Sequence, residues 1–282
     1  MEITLAMIKE LRESTHAGVM DCKKALLQSN GDFAAAEKVL KEMGLAAVAK
    51  RVDRSTNEGR VTILQKDNKF VMVDITCETD FVAKNNEFIN LGKNVAEKIL
   101  SEGYTQIEQP LVEMVNGLIA TINENMKVKR FALMECGPNQ YVATYIHGEG
   151  KIGVLIRFNA DDPKILSDEA FKDFAFKCAL QVCAQDPMYL DGKDVPKDYC
   201  DEQLGIFRKQ VESLDKPENV KEGIVRGKLS KHLGEICLNQ QVFDFDNPDG
   251  LTVEKLFAKF NKDHGCKTSI ESFVRYRAGG ND

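Results

Sequence analysis

From Val71 the chain alternates. Val71, Val73, Ile75 and Cys77 place an apolar residue at every second position, which predicts a strand with one buried face. At Asn85 the period changes: Phe88, Leu91, Val95 and Ile99 recur at helical spacing behind a residue suited to an N-cap. The corner between the two carries Thr79-Asp80-Phe81-Val82. Such a corner can point side chains outward, where a ring fills a partner's pocket and a neighbouring carboxylate disturbs the polar groups lining it. Chemistry alone favours the plainer alternative, with Phe81 folded into the core and Asp80 capping a turn, because most phenylalanines are core residues.

Upstream lie three short helical stripes: Leu5, Ile8 and Leu11, ending near Thr15-His16-Ala17-Gly18; Met20, Cys22, Ala25 and Leu26, stopping at Ser29-Asn30-Gly31; and Phe33, Ala36, Leu40 and Met43 behind Asp32, with Gly44 at the end. Each is too short to be stable alone, so the three must pack together, and a unit this small suits binding better than chemistry. The polar run from Lys50 to Gly59 reads as a linker.

The remainder holds an approximate repeat. Residues 60–100 read as a hairpin turning at Asp67-Asn68, followed by the Asn85 helix. Residues 141–184 read alike: Val142 and Ile146 in one strand, a turn at Gly148-Glu149-Gly150, Ile152, Val154, Ile156 and Phe158 in the return. Ser167 then caps a helix with Phe171, Phe174, Cys178, Ala179 and Val182. Hairpin-plus-helix units make the fold class α+β. Further strands are expected at 127–136, at 236–243 and near Phe273-Val274-Arg275-Tyr276. Pro196 and Pro217 mark helix starts, and Val220, Ile224, Val225, Leu229 and Leu233 form a long stripe, more often core or internal hairpin than partner surface.

Composition then narrows the classes. With 282 residues, 43% hydrophobic and 29% charged, the chain suits a globular protein of two or more domains. A net charge of −6 and a pI near 5.5 argue against direct nucleic-acid or anionic-membrane binding. No apolar run approaches the roughly 20 residues that span a bilayer. The opening Met1-Glu2-Ile3-Thr4-Leu5 soon meets Lys9, Glu10, Arg12 and Glu13, which argues against a secretory leader. The eight cysteines, at 22, 77, 136, 178, 183, 200, 237 and 266, form no C-x-x-C pair. Most sit in apolar patterns, as in a reduced cytoplasmic protein.

Catalytic constellations are wanting. The histidines, at 16, 147, 232 and 264, fall in no H-E-x-x-H and at no close Cys/His spacing, so no metal site and no cofactor is expected. No G-x-S-x-G occurs. Gly148-Glu149-Gly150-Lys151 lacks the spacing of a phosphate loop and lies between two strands, as a hairpin turn does. The residues point to a binding protein, not an enzyme.

Several stretches together resemble the elongation factor Ts family, the nucleotide-exchange factors of the GTPase elongation factor Tu. They are Ile8-Lys9-Glu10-Leu11-Arg12, Ala17-Gly18-Val19-Met20-Asp21-Cys22-Lys23-Lys24-Ala25-Leu26 and, as the family's signature, Thr79-Asp80-Phe81-Val82-Ala83-Lys84-Asn85. Weaker matches are Tyr145-Ile146-His147-Gly148 with Lys151-Ile152-Gly153-Val154-Leu155, and Gly223-Ile224-Val225-Arg226-Gly227-Lys228 leading to Gly234-Glu235-Ile236-Cys237-Leu238. They run in family order over nearly the whole chain.

The resemblance implies five segments: 1–54 as a ubiquitin-associated-like three-helix module, 55–139 as one core unit, 140–190 and 229–282 as the two parts of the other, and 191–228 as a helical insert that serves coiled-coil or dimerisation roles. It implies that Asp80 and Phe81, flanked by Thr79 and Val82, wedge between helices of the GTPase domain near its Mg²⁺ and phosphate site. Val19, Met20 and Lys23 would contact the same domain, and His147 and the region of Ile236 the distal β-barrel domain. The implied partners are elongation factor Tu, GDP-bound or nucleotide-free, and a second copy through the insert. Two rivals are a scaffold for helical or ubiquitin-like partners and an enzyme using a thiol.

Three departures from the family pattern stand out. Ile122-Asn123-Glu124-Asn125 has Asn123 where many members have glycine, which leads to the expectation that the partner contact implied at Ile122 and Asn123 is looser or rearranged. Gln181-Val182-Cys183-Ala184 stands where a His and two alanines are common, a change expected to alter packing. The chain closes at Arg277-Ala278-Gly279-Gly280-Asn281-Asp282, which leads to the expectation that the further C-terminal helix of some members is absent.

Overall fold

The computed structural model describes residues 3–15 and 17–279, without the side chains of Leu45 and Ala47. His16, at the expected end of the first helix, and residues 1–2 and 280–282 at the chain ends lie outside them. Two compact units divide the chain: Met1–Leu133 with Ile146–Gly153 and Tyr276–Asp282, and Met134–Tyr145 with Val154–Arg275.

In the first unit, α1 (Leu5–Thr15), α2 (Val19–Gln28) and α3 (Phe33–Ala49) enclose a small core of Ile8, Leu11, Cys22, Ala25, Leu26 and Ala36. Asp32 caps α3 by accepting from the Ala35 amide at 2.8 Å. α3 does not stop at Gly44 as the glycine suggested, but continues through good helix formers to Ala49. Gly44 serves close approach instead: a Cβ there would lie 3.0 Å from the Ala120 methyl of α6 (Gln109–Ile122), a helix the sequence patterns did not reveal.

A three-stranded antiparallel sheet follows, ordered β1 (Glu58–Lys66), β2 (Lys69–Cys77), β3 (Met126–Glu135). β1 and β2 are joined at Asp67-Asn68, pairing Lys66 with Lys69 and Glu58 with Cys77. On one face of β2, Val71, Val73, Ile75 and Cys77 pack under Phe88, Leu91, Val95 and Ile99 of α5 (Asn86–Glu102), which Asn85 caps. Burial of each large apolar side chain contributes about 1.5–3 kcal/mol. The expectation of a single buried face falls short, because β2 is the central strand and Phe70 to Cys77 is buried throughout. Asp74, fully buried on the other face, accepts from Arg130 Nε at 3.2 Å, and the Thr76 hydroxyl donates to Thr56 at 2.8 Å.

The second sheet is ordered β4 (Gln140–His147), β5 (Ile152–Ala160), β6 (Thr268–Arg277). The core of the second unit is aromatic. Phe158 of β5 meets Phe171 of α7 (Glu169–Gln185) edge-on at 5.7 Å and stacks on Phe257 of α10 (Val253–His264) at 6.1 Å. Phe174 lies 4.6 Å from Phe257 and 5.4 Å from Phe260. The cap of α7 is Asp168, which accepts from the Ala170 amide at 2.7 Å; Ser167 instead closes the preceding 3₁₀ turn. Helices α8 (Lys197–Val211) and α9 (Glu218–Ile236) pair with each other, and of the Val220–Leu233 stripe only Val225 is fully buried.

No strand forms at 236–243. α9 runs to Ile236, Cys237 caps it, and Leu238–Gln240 turn as a 3₁₀ helix. Backbone pairing is limited to isolated bridges of Cys237 with Tyr189 and of Val242 with Thr252, and buried Gln181 adds to it, donating to the Val242 carbonyl at 3.1 Å and accepting from the Asp244 amide at 3.0 Å. The departure at Gln181 is thus a packing device.

Candidate partner-binding site

β2 ends at Cys77, and Thr79 sits extended before one helical turn, α4 (Asp80–Ala83). The Thr79 hydroxyl accepts from the Val82 amide at 3.4 Å, as an N-cap does. Val82 and Ala83 turn inward and are buried. That rotation leaves Phe81 outside, 82% exposed, so the plainer alternative of a core phenylalanine is ruled out. An exposed ring forgoes the roughly 1.5–3 kcal/mol of burial that a partner's pocket can supply.

Beside it, the Asp80 carboxylate accepts from Lys84 Nζ at 2.8 Å. That hydrogen bond holds Asp80 below its ordinary value and raises Lys84, with a smaller effect of Lys151 on Asp80. Lys151 is the last residue of the β4–β5 turn, which with its flanking strand ends, Ile146–Gly153, belongs to the first unit.

Four polar residues from distant parts of the chain hold this corner. Glu124 accepts from the Thr79 amide at 3.1 Å and from the Thr79 hydroxyl at 2.8 Å. In the reverse direction, Glu78 accepts from the Asn125 amide at 2.6 Å. The buried Asn125 side chain donates to the carbonyls of Val52 and Arg54, at 3.3 and 2.7 Å, and so ties down the linker. Arg54 pairs with Glu78 at 3.4 Å. Sequence reasoning singled out none of Glu78, Glu124 or Asn125 as functional. The available signal was an acidic residue and an amide wedged between a helix end and a strand.

Asn123 takes φ 67°, ψ 22° and ends α6 as its left-handed cap, the conformation for which glycine is the usual choice. Unlike glycine it also offers a side chain: Arg51 donates from Nε to its carbonyl at 2.9 Å and from Nη2 to Oδ1 at 3.0 Å. Ile122 packs its side chain against the core. Val19, Met20 and Lys23 stand exposed on α2, opposite buried Cys22, Ala25 and Leu26. His147 ends β4, exposed and within the first unit, as are all of these residues. Ile236 belongs to the second unit, where its carbonyl accepts from the amides of Met188 and Tyr189 at 2.8 and 3.1 Å.

Three buried thiols are shifted away from reactivity. Burial, then the charges of Glu124 and Glu58, pushes Cys77 up to about 12; burial raises Cys178 further and takes Cys237 to about 11. A nucleophilic cysteine needs the opposite shift. Among the described residues no His, Cys, Asp and Glu cluster could hold a metal ion, and no helix is long and apolar enough to cross a membrane.

A family model described as elongation factor TS matches residues 78–280. The chain is 43% identical over 279 residues to elongation factor Ts of Treponema denticola, covering 99% of each protein. It is 41% identical to that of Treponema pallidum, again over 99% of each, and 40% identical to that of Borreliella burgdorferi over 273 residues, 96% of this chain and 97% of the relative. These are translation elongation factors by name. The chain belongs to the elongation factor Ts family.

Proposed function

We propose that this protein accelerates GDP release from elongation factor Tu by inserting Asp80 and Phe81 beside the Mg²⁺ and phosphate site. The observation that carries the reading is an exposed Phe81 on a turn anchored by Val82, Ala83 and Thr79. Exposed, rigidly mounted aromatics are what protein partners bury best. Family membership supplies the identity of the partner.

The energetics are those of linkage. A GTPase holds its nucleotide through a phosphate-cradling loop and a bridging Mg²⁺. A factor that prefers the nucleotide-free conformation weakens nucleotide binding by the same factor, because coupling is reciprocal. Exchange needs a coupling larger than the ~1–3 kcal/mol of ordinary allosteric pairs. A ring driven between helices that carry Mg²⁺ ligands meets that need, with no covalent step. Val19, Met20 and Lys23 add affinity for the same domain, and His147 and the Ile236 region for the distal one.

The experiment is release of fluorescent GDP from elongation factor Tu with and without this protein. Acceleration supports the reading. Binding without acceleration supports the rival, a scaffold for helical partners.

A further inference from the structure

We propose that Glu124 is a positioning residue for exchange: it orients Thr79, and through Thr79 the turn that presents Phe81. The inference rests on the exchange reading above. α4 is a single turn, too short to hold its own shape, so its orientation must be imposed by neighbours. Burial of Val82 and Ala83 turns Phe81 outward but does not select the rotamer of the Thr79 cap. Glu124 supplies the missing restraint, one carboxylate oxygen taking the Thr79 amide and the other the Thr79 hydroxyl. With its proton committed to Glu124, the hydroxyl oxygen keeps a lone pair for the Val82 amide, 3.4 Å away. The rotamer of the cap is thereby selected from outside the turn.

Glu124 can do this because its own backbone is fixed on both sides. Asn123 ends α6 in the left-handed conformation, and Asn125 is held through its amide by Glu78 and through its side chain by the linker carbonyls. An ionised carboxylate accepts at both oxygens, and charged acceptors make the stronger bonds. A glutamine would turn its NH₂ toward one of the two donors.

The test uses the full-length chain with Glu124→Ala, Glu124→Gln, Phe81→Ala and the Glu124→Ala/Phe81→Ala double variant. Stopped-flow release of fluorescent GDP over a range of factor concentrations gives the maximal rate and the half-saturating concentration; thermal melting checks folding. Glu124→Ala is expected to lower the maximal rate on the order of tenfold, as misplacement of a working group does. Glu124→Gln should fall between it and the parent, and the double variant should be no slower than Phe81→Ala alone. A parent-like maximal rate from Glu124→Ala, beside a slow Phe81→Ala, overturns the positioning role. So does a double variant whose losses multiply. If Glu124→Ala does not fold, Glu124→Gln carries the test, and a parent-like rate from it overturns the role. A parent-like Phe81→Ala defeats the exchange reading itself, and this inference with it.

Discussion

Lys84 reaches back one turn to place its ammonium 2.8 Å from the Asp80 carboxylate, so the charge beside Phe81 is already paired in the free protein. The hydrogen bond between them holds Asp80 below the ordinary aspartate range and Lys84 above the ordinary lysine range. The pair is therefore intact across neutral pH, lost only as pH falls through the lowered Asp80 value or rises through the raised Lys84 value. The exchange rate is expected to show no inflection from this pair between about pH 5.5 and 8. Both groups are exposed, so Lys84→Ala should melt as the parent does. An inflection in that range that disappears in Lys84→Ala contradicts this.

Asn123 stands at positive φ as the cap of α6. Asn123→Ala should destabilise the protein by about 1 kcal/mol, the cost of placing an ordinary side chain in the left-handed region. Asn123→Gly gives up the Oδ1 bond to Arg51 but relaxes the backbone, and should cost less. Urea unfolding measures both; an alanine variant as stable as the glycine variant would show that the cap does not govern this corner.

The parts of the fold legible in sequence were those with a single period. The α5 stripe and the β1–β2 hairpin needed only local spacing. What escaped depends on distant neighbours. Asp74 and Thr76 read as solvent-facing until Arg130 and Thr56 cover them. Gly44 read as a stop, but its neighbour is Ala120. Residues 236–243 carried strand-like apolar content, yet their backbone pairs only at isolated points, Cys237 with Tyr189 and Val242 with Thr252, and Gln181, 61 residues away in sequence, holds Val242. In the site, residue chemistry favoured a buried Phe81, and only the family resemblance pointed outward. Glu78 and Glu124 drew no role of their own from the sequence, since the bonds they make to Asn125 and Thr79 cross 47 and 45 residues.

Gly153 follows the β4–β5 turn where an added Cβ would meet Val61 Cγ1 at 2.5 Å and Met72 Sδ at 2.8 Å. Gly153→Ala should destabilise by about 1–3 kcal/mol, the range for overpacking. Denaturant midpoints report it, and an unchanged midpoint means that Val61 and Met72 give way freely.

Thiol labelling tests the quiet chemistry of the cysteines. Five of the eight are buried, and Cys136, Cys200 and Cys266 are partly exposed. A native-state assay with a disulfide reagent should find at most these three reacting quickly, and all eight after unfolding. Fast reaction of Cys77 or Cys178 would contradict their burial and raised values.

The central claim separates two kinds of contact, and one stopped-flow comparison addresses it: GDP release from elongation factor Tu driven by saturating Phe81→Ala and by saturating Ile236→Ala. Phe81→Ala, truncating a side chain that is 82% exposed, should fold as the parent does yet lose roughly tenfold or more of the maximal release rate. Ile236→Ala should keep a maximal rate near the parent's and require more factor to reach it. Equal defects in both variants, or a parent-like rate from Phe81→Ala, would contradict the account.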